Sequence, residues 1–179
     1  SCDFTFTHEY MTAGPVNTGL TYTEDHMDLS FASFDDGAGG TLFGSASVDF
    51  AISGIGDAQV LQLSNINAVY DLSNLIDVTR VTFEYFDGAG IENLSVNGAA
   101  LVDEFGALYG STFSLGGADV FITRVSASGY DYGEVILTGN VQSFAVGGQQ
   151  FYVDNVCVSA EGVDCTDTDQ DGVCDGNEV

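Results

Sequence analysis

The sequence predicts an all-β protein, built as a β-sandwich or barrel, and three observations support this prediction. Short stretches of alternating apolar and polar residues recur at roughly 8–12-residue spacing. Turns rich in glycine separate these stretches, since the 179-residue chain has 23 Gly and 1 Pro. No stretch has the length and periodicity of a long amphipathic helix. A chain of this length suits one domain and a tail.

The alternation of apolar and polar residues places the elements in order. The first strand is predicted over residues 3–10, where Phe4, Phe6 and His8 share one face. Further strands are predicted at 20–23, 27–31, 41–52, 58–63, 66–72, 81–85, 91–96, 120–125, 134–138, 141–146 and 151–158. Turns are predicted at 35–40, 87–90 and 97–98, where Gly follows Asp or Asn. Only 73–78 and 102–109 have room for a helical turn or two.

Residues 167–178 fit a twelve-position calcium loop. Gly172 stands at position 6, where the chain turns sharply, and Val173 supplies a backbone carbonyl at position 7. Acidic residues occupy positions 1, 3, 5, 9 and 12, and they are Asp167, Asp169, Asp171, Asp175 and Glu178. Because calcium takes six to eight oxygen ligands, this spacing predicts bound Ca²⁺. No helix is predicted on either side of the loop.

The charge of the chain excludes some partners and favours others. The 27 acidic residues stand against 2 basic ones, for a net charge of −25. Nucleic acid is excluded because phosphate contacts need Lys and Arg. Divalent cations would offset the repulsion among the acids, and a saline habitat is the other explanation that composition leaves open. No apolar run approaches the ~18 residues that a membrane-spanning helix needs.

The chain has four cysteines: Cys2, Cys157, Cys165 and Cys174. No pair has C-x-x-C spacing, and two histidines are too few for a zinc site. The even number favours disulfides and an oxidising compartment, so we expect a secreted, extracellular or cell-surface protein. Of three possible connectivities, pairing the first cysteine with the second joins the opening strand to the last core strand. Pairing the third with the fourth closes the calcium loop, and we favour this combination.

The sequence gives little support for catalysis. His8 and His26 are the only histidines, and no G-x-S-x-G nucleophile elbow is present. The basic residues are Arg80 and Arg124, so no glycine-rich phosphate loop is followed by a lysine. Acidic pairs for glycoside hydrolysis could be drawn from almost anywhere among 27 acids, which makes them uninformative. We therefore expect a protein that is not an enzyme.

Two resemblances add to this interpretation. The stretch from Asp167 to Val179 resembles the aspartate-rich thrombospondin type 3 repeats of bacterial surface proteins, which bind calcium. Residues 81–87, 92–98 and 146–157 resemble the jelly-roll sandwiches of secreted bacterial proteins, which are similar in outline to carbohydrate-binding modules. The second resemblance implies an antiparallel jelly-roll β-sandwich over 1–159, and the first implies an acidic calcium-binding tail over 160–179. The second also implies that Asp154, in the strand Phe151–Val156, helps to hold a structural calcium.

Two functions remain open at this point. The first is a non-catalytic structural or adhesive protein that calcium stabilises and that self-associates into a homo-oligomer or filament, through its first strand or its calcium loop. The second is a calcium-dependent module that binds an extracellular polysaccharide. Tyr109, Tyr130 and Tyr132 lie in Gly- and Ser-rich segments and are the candidates for stacking on sugar rings.

Overall fold

The computed structural model describes residues 1–52, 54–164, 166, 168–171 and 174–175. These residues form an almost entirely β structure, as the sequence predicts. The strands are β1 Phe4–Phe6, β2 Gly14–Pro15, β3 Tyr22–Glu24, β4 Met27–Asp35, β5 Thr41–Leu42, β6 Ser45–Ile52, β7 Ile55–Ser64, β8 Ile66–Asp71, β9 Leu75–Ile76, β10 Arg80–Val96, β11 Ala99–Asp103, β12 Phe113–Leu115, β13 Ala118–Ile122, β14 Val125–Ala127, β15 Tyr130–Thr138, β16 Ser143–Ser159 and β17 Gly162–Val163. The helix α1 is Phe105–Leu108.

Two long antiparallel strands, β10 and β16, organise the sheet, because each has 17 residues and runs through two layers. The first half of β10 and the second half of β16 lie in a layer ordered β12-β13-β15-β10-β16-β7-β6-β2, with β14 beside β15 and β1 beside β16. The other halves of the two strands pair with β11 and β8, and β4 then follows β8 with β3 and β5 at its sides. All the described strand pairs are antiparallel.

The hydrophobic core lies between these two layers. Phe83 from the first layer stacks on Phe144 from the second with ring centroids 5.2 Å apart, and Tyr70 packs on Phe144 at 4.9 Å. Phe6 packs edge-on against Tyr70 at 5.5 Å. All four side chains are at most 1% exposed, and burying each stabilises the fold by roughly 1.5–3 kcal/mol. The prediction of an all-β sandwich-like fold is therefore confirmed, while the jelly-roll connectivity stays a prediction.

The predicted turn at residues 87–90 is wrong. β10 continues through it, and the glycines mark bulges: the register with β16 shifts between Asp87 and Ala89 and again between Ala89 and Glu92. Gly90 has φ +90°, a conformation that glycine adopts without a steric cost. An Asp- and Gly-rich stretch often ends a strand. At residues 87–90 it instead lets one strand pass from the first layer to the second. The turn at Asn97–Gly98 is confirmed, since it joins β10 to β11 with positive φ at each residue.

The predicted disulfide between Cys2 and Cys157 is confirmed, with a Cα–Cα distance of 5.2 Å and a sequence separation of 155 residues. It fixes β1 to β16, and a loop longer than 100 residues contributes about 4–5 kcal/mol in the chain-entropy account. No free cysteine occurs in the part of the chain that the structure describes. The predicted partner of Cys174, Cys165, lies outside the described residues, so that pairing stays a prediction.

The start of the predicted tail is anchored to the sandwich. β17 pairs with β9, and the backbone N–H of Glu161 donates to the carbonyl of Ile76 at 2.8 Å. Of the two segments with room for a helical turn, 73–78 contains β9 instead, whereas 102–109 does contain α1. No helix within the described ranges is long and apolar enough to cross a membrane. The boundary at residue 159 stays a prediction.

Candidate metal centre

A gap in strand pairing on one edge of β16 sets the position of Asp154. β7 pairs with Phe151–Val153 on that edge, and β1 pairs with Val156–Val158. Asp154 and Asn155 lie between these two partners. Because β1 and β7 run antiparallel to β16, the residues after β1 and the first residues of β7 approach the gap from its two sides. Three segments that are distant in sequence therefore meet at this point.

The carboxylates of Glu9, Asp57 and Asp154 converge there. One oxygen from each residue can be chosen so that all three lie within 4.8 Å of one another. Two oxygens bound to one calcium at 2.3–2.6 Å are separated by up to about 5 Å, so the spacing suits a shared cation. Asp154 is fully buried, Glu9 is half-buried and Asp57 is exposed. We call these three residues the acidic centre.

Only one oxygen of Asp154 is bonded. Its Oδ1 lies 2.9 Å from Nδ1 of His8, and Nε2 of the same buried ring lies 2.7 Å from the hydroxyl of Tyr70. Its Oδ2 is buried and has no hydrogen-bond partner among the described residues. Burial raises the pKa of Asp154, although the contact with His8 opposes that rise. A buried oxygen left in this state calls for a proton or a cation.

Gln59 fixes the segment that carries Glu9. Its side-chain N–H group donates to the backbone carbonyls of His8, Glu9 and Met11 at 3.0, 3.2 and 3.1 Å. Its backbone N–H donates to Oε1 of Glu9 at 2.8 Å. The turn after β1, which begins at His8 with φ +64°, is thus tied to the second strand that borders the gap. This bonding holds the Glu9 carboxylate in place before any cation binds.

Glu84 holds the other side of the gap. Its Oε2 accepts hydrogen bonds from the backbone N–H of Gly56 and from Nδ2 of Asn155, each at 2.9 Å. Gly56 has φ +76°, and a Cβ built there would lie 3.0 Å from Oδ2 of Asp154. Glycine is needed at this position because the backbone of β7 passes close to the buried carboxylate.

The donor set selects a hard cation. The acidic centre offers carboxylate oxygens, and the nitrogens of His8 are already engaged with Asp154 and Tyr70. The two arginines lie elsewhere: Arg124 is 2.9 Å from Asp131, and Arg80 opens β10 opposite Thr138 and Ser159. No Lys or Arg side chain is therefore available to neutralise the three converging carboxylates, and His8 contacts only Oδ1 of Asp154 among them. Oxygen-only sites of this kind suit Ca²⁺ better than zinc or copper.

The predicted calcium loop is described only in part. Asp169 and Asp171 are exposed, and the carboxylate of Asp175 accepts from the N–H and the hydroxyl of Thr168 at 2.9 and 2.7 Å. These hydrogen bonds lower the pKa of Asp175, so they favour the ionised form that a cation needs. The remaining predicted ligands, Asp167, Val173 and Glu178, lie outside the described residues.

The three tyrosines proposed for sugar stacking have different surroundings. The ring of Tyr109 packs against the guanidinium of Arg124 at 4.9 Å. Tyr130 packs on Phe86 with centroids 4.6 Å apart, and it lines a surface cleft together with Arg124. Tyr132 is less available, because a Cβ built on Gly54 would lie 2.7 Å from its ring. The structure thus associates two of the three tyrosines with Arg124.

The sequence singles out Asp154 as a candidate ligand, whereas nothing in it points to Glu9 or Asp57. Neither stands in a motif, and among 27 acids neither is distinguished by its type or its neighbours. Comparisons of the chain with models of protein families, with curated proteins and with solved structures found no match. The fold and the acidic centre therefore define the protein only as an all-β, disulfide-linked sandwich with an oxygen-only candidate cation site.

Proposed function

We propose that this protein is a non-catalytic extracellular β-sandwich that binds calcium at the acidic centre and serves a structural or adhesive role. The observation that carries the proposal is the fully buried Oδ2 of Asp154, which has no described hydrogen-bond partner and lies beside two further carboxylates. Removing a carboxylate from water costs several kcal/mol unless a partner compensates it. Calcium is the partner that three carboxylates without a Lys or Arg side chain favour.

The extracellular part of the proposal rests on redox chemistry and on calcium supply. The Cys2–Cys157 disulfide persists in an oxidising compartment. Calcium sites of extracellular modules work at dissociation constants of about 10⁻⁴–10⁻³ M, which suits a centre with one buried and two more accessible carboxylates. Calcium would link the turn after β1, the start of β7 and β16, so that binding stabilises the folded protein.

Thermal unfolding with calcium and with EDTA tests this function. A ligand at 100 times its dissociation constant adds about 2.7 kcal/mol to stability. For a chain of this size that corresponds to a rise in Tm of roughly 5–10 °C. Asp57→Asn should abolish most of the rise, because it removes a ligand from an exposed position. Asp119→Asn is the matched control, an exposed strand acid outside the centre. Equal rises in these two variants would refute the acidic centre as the site.

The calcium loop needs its own measurement. Combining Asp169→Asn with Asp171→Asn should lower the number of bound calcium ions, counted by equilibrium dialysis, while the rise in Tm that depends on Asp57 persists. The loop is joined to the sandwich beyond β17, so calcium there stabilises the core less than calcium at the acidic centre does. Loss of the whole thermal effect in the double variant would assign the stabilisation to the loop instead.

Self-association is the second part of the proposed role, and the surroundings of β1 affect where it would occur. The N–H of Thr5 donates to Asp25 at 2.8 Å, and the N–H of Thr7 donates to Glu24 at 2.9 Å. Edge strands recruit neighbours through unpaired backbone groups, and these two are already bonded. The calcium loop is therefore the better candidate for contact between copies. Light scattering during a calcium titration should show an increase in the average molecular mass. A monomer at every calcium concentration would refute assembly.

A further inference from the structure

β11 is the strand on which one edge of the second layer ends, and it is longer than the other described strands that pair on one side only. It has five residues, Ala99–Asp103, and its partner among the described strands is β10. The remaining strands with a single partner have two or three residues each, and they are β1, β2, β3, β5, β9, β12, β14 and β17. Because proteins shorten their edge strands to prevent pairing between molecules, β11 is an exception within this fold.

Two residues of β11 direct their backbone groups away from β10. The turn at Asn97–Gly98 has two residues, so Val96 and Ala99 form a hydrogen-bonded pair, and the two kinds of pair then alternate along the hairpin. Ala100 and Val102 therefore stand in non-hydrogen-bonded pairs with β10, and their N–H and C=O groups point to the free edge. No hydrogen bond within the described chain uses these outward groups.

The composition of β11 leaves this edge unguarded. Natural edge strands are commonly protected by Lys, Pro or a bulge, and β11 has none of these, since its register with β10 is regular. Asp103, at the end of the strand, is its only charged residue. Leu101 stands opposite the buried Leu94 but is itself only half-buried, so part of an apolar side chain is exposed at the same edge.

The surface beside β11 has few acids, which matters in a chain of net charge −25. A hollow of about 390 Å³ lies on the outer face of the second layer, next to β11. Asp35 is the only charged residue among those that line it, and most of the others are small, such as Ala32, Ser95, Ala100 and Ala145. Two copies of a chain this acidic repel each other, so they can approach most closely where acids are sparse.

We infer that β11 pairs with β11 of a second copy of this chain, antiparallel about a two-fold axis that passes beside Leu101. In that register Ala100 lies opposite Val102 of the second copy, and the outward N–H and C=O groups of the two strands all bond to one another. The half-buried Leu101 side chains meet at the axis, where the cross-strand distance is shortest. A two-fold contact uses the same surface on both molecules, so it closes as a dimer.

The charges of the strand favour this occupant and this direction. In the antiparallel pair each Asp103 lies opposite Ala99 of the second copy, so the two carboxylates stand at opposite ends of the contact. A parallel pair would place them side by side. The contact needs no cation and is separate from the calcium loop. It therefore goes beyond the proposed calcium function and does not rest on it.

Sedimentation equilibrium in EDTA tests the contact in the absence of calcium. The protein should form a dimer, and Ala100→Pro should raise its dissociation constant at least tenfold, because proline removes an N–H that donates to the second copy. The pairing of β11 with β10 does not use that N–H, so the variant should fold. Ser126→Pro is the matched control, since Ser126 is the middle residue of β14 and its N–H also points away from its partner strand. It should change the dissociation constant less than twofold.

Leu101→Cys tests the register even if Ala100→Pro does not fold. Residues opposite each other in a non-hydrogen-bonded antiparallel pair have Cα atoms about 4.5 Å apart, which is within the range of a disulfide. Mild oxidation in EDTA should therefore link two copies through this cysteine. Ala99→Cys is the matched control on the same face of the strand, because its two copies would lie roughly 14 Å apart and should stay unlinked.

Four outcomes would overturn the inference. They are a monomer in EDTA at millimolar concentration, equal weakening of the dimer by Ala100→Pro and Ser126→Pro, crosslinking of Ala99→Cys as readily as Leu101→Cys, and protection of the Ala100 and Val102 amides from hydrogen exchange only when a foreign extended peptide is added. The last would assign the edge to another protein. Because calcium is absent throughout, a failure of calcium to raise Tm would refute the proposed function and leave this contact standing.

Discussion

Asp154 and Glu92 are two buried acids, and the cost of burying the carboxyl group is offset differently in each. Asp154 is 0% exposed and Glu92 is 1% exposed, and each has one bonded oxygen and one oxygen that meets no donor among the described residues. Burial raises the pKa of each carboxyl group, and for Glu92 burial and the neighbouring Asp87 together raise it to about 9.

The difference lies in what surrounds the second oxygen. Asp154 meets two more carboxylates, Glu9 and Asp57, at a place that opens to the surface. The neighbours that raise the pKa of Glu92 are the half-buried Asp87 and the more distant Glu104. Three converging carboxylates with an open side favour a divalent cation, whereas a buried carboxyl group beside a second acid favours a proton. The number and access of the neighbouring acids, more than burial itself, distinguish a metal site from a protonated pair.

The largest effect should come from Asp154→Ala. The variant removes the hydrogen-bond partner of the His8 ring and the central ligand of the acidic centre. Leaving a buried polar group unpaired typically costs about 1–3 kcal/mol, and the loss of bound calcium adds to this cost. Urea unfolding in calcium should show that loss, with Asp119→Ala as the exposed control expected within about 0.5 kcal/mol of wild type. A loss below about 1 kcal/mol would contradict a buried partner and ligand.

Glu92→Gln should act in the opposite direction. Above pH 5 the unfolded chain has lost the Glu92 proton, but the folded protein keeps it up to about pH 9. The folded state therefore binds more protons, so the free energy of unfolding falls as pH rises through this window, by up to about 1.4 kcal/mol per pH unit. Glutamine removes this term, and the variant should gain stability relative to wild type as pH rises from 5 to 9.

Urea unfolding at four pH values in that window measures this slope. EDTA in each sample excludes bound calcium as its cause. Glu161→Gln is the matched control because Glu161 is exposed on the surface. Parallel pH profiles for wild type and Glu92→Gln would mean that Glu92 is ionised in the folded protein, and the contrast with Asp154 would fail.

The rise in Tm that calcium causes should depend on pH through Asp154 and not through Glu92. A metal must displace any proton on Asp154, whose pKa burial raises, so the calcium-induced rise in Tm should grow between pH 4.5 and pH 7.5. Glu92→Gln should show the same growth as wild type, because its carboxyl lies outside the acidic centre. A calcium effect that is constant over this range, or that changes with Glu92→Gln, would link the two sites and undo the comparison.

The smallest effect concerns the fit of the backbone at Gly56. Gly56→Ala places a Cβ 2.5 Å from Val60 and 3.0 Å from Oδ2 of Asp154, at φ +76°. Gly14→Ala is the control for backbone strain alone, since φ there is +107° and nothing lies within 4 Å of the added Cβ. Each variant should lose about 1–2 kcal/mol of stability. Only Gly56→Ala should also weaken calcium binding in titration calorimetry, and equal affinities would show that the close approach does not shape the site.

The sequence by itself determined the all-β class, the turn at Asn97–Gly98 and the pairing of Cys2 with Cys157, and it singled out Asp154 as a candidate ligand. The class and the turn depend on local chemistry: alternation with a period of two, and residues that accept positive φ. The choice of Asp154 came from a resemblance in the strand that contains it, and the chain ends of the core suggested the disulfide. Each of these predictions depends on the residues of one short stretch or, for the disulfide, on the positions of the cysteines along the chain.

Only the tertiary structure decided that Glu9 and Asp57 meet Asp154, that residues 87–90 bend a strand instead of ending it, and that Glu92 is buried. Convergence of the three acids depends on where β1 and β7 stop pairing along β16, a matter of register between strands separated by up to 155 residues. Register is fixed by how the two layers pack, not by the residues at the gap. In a chain with 27 acids, packing selects the few that can share a cation or a proton.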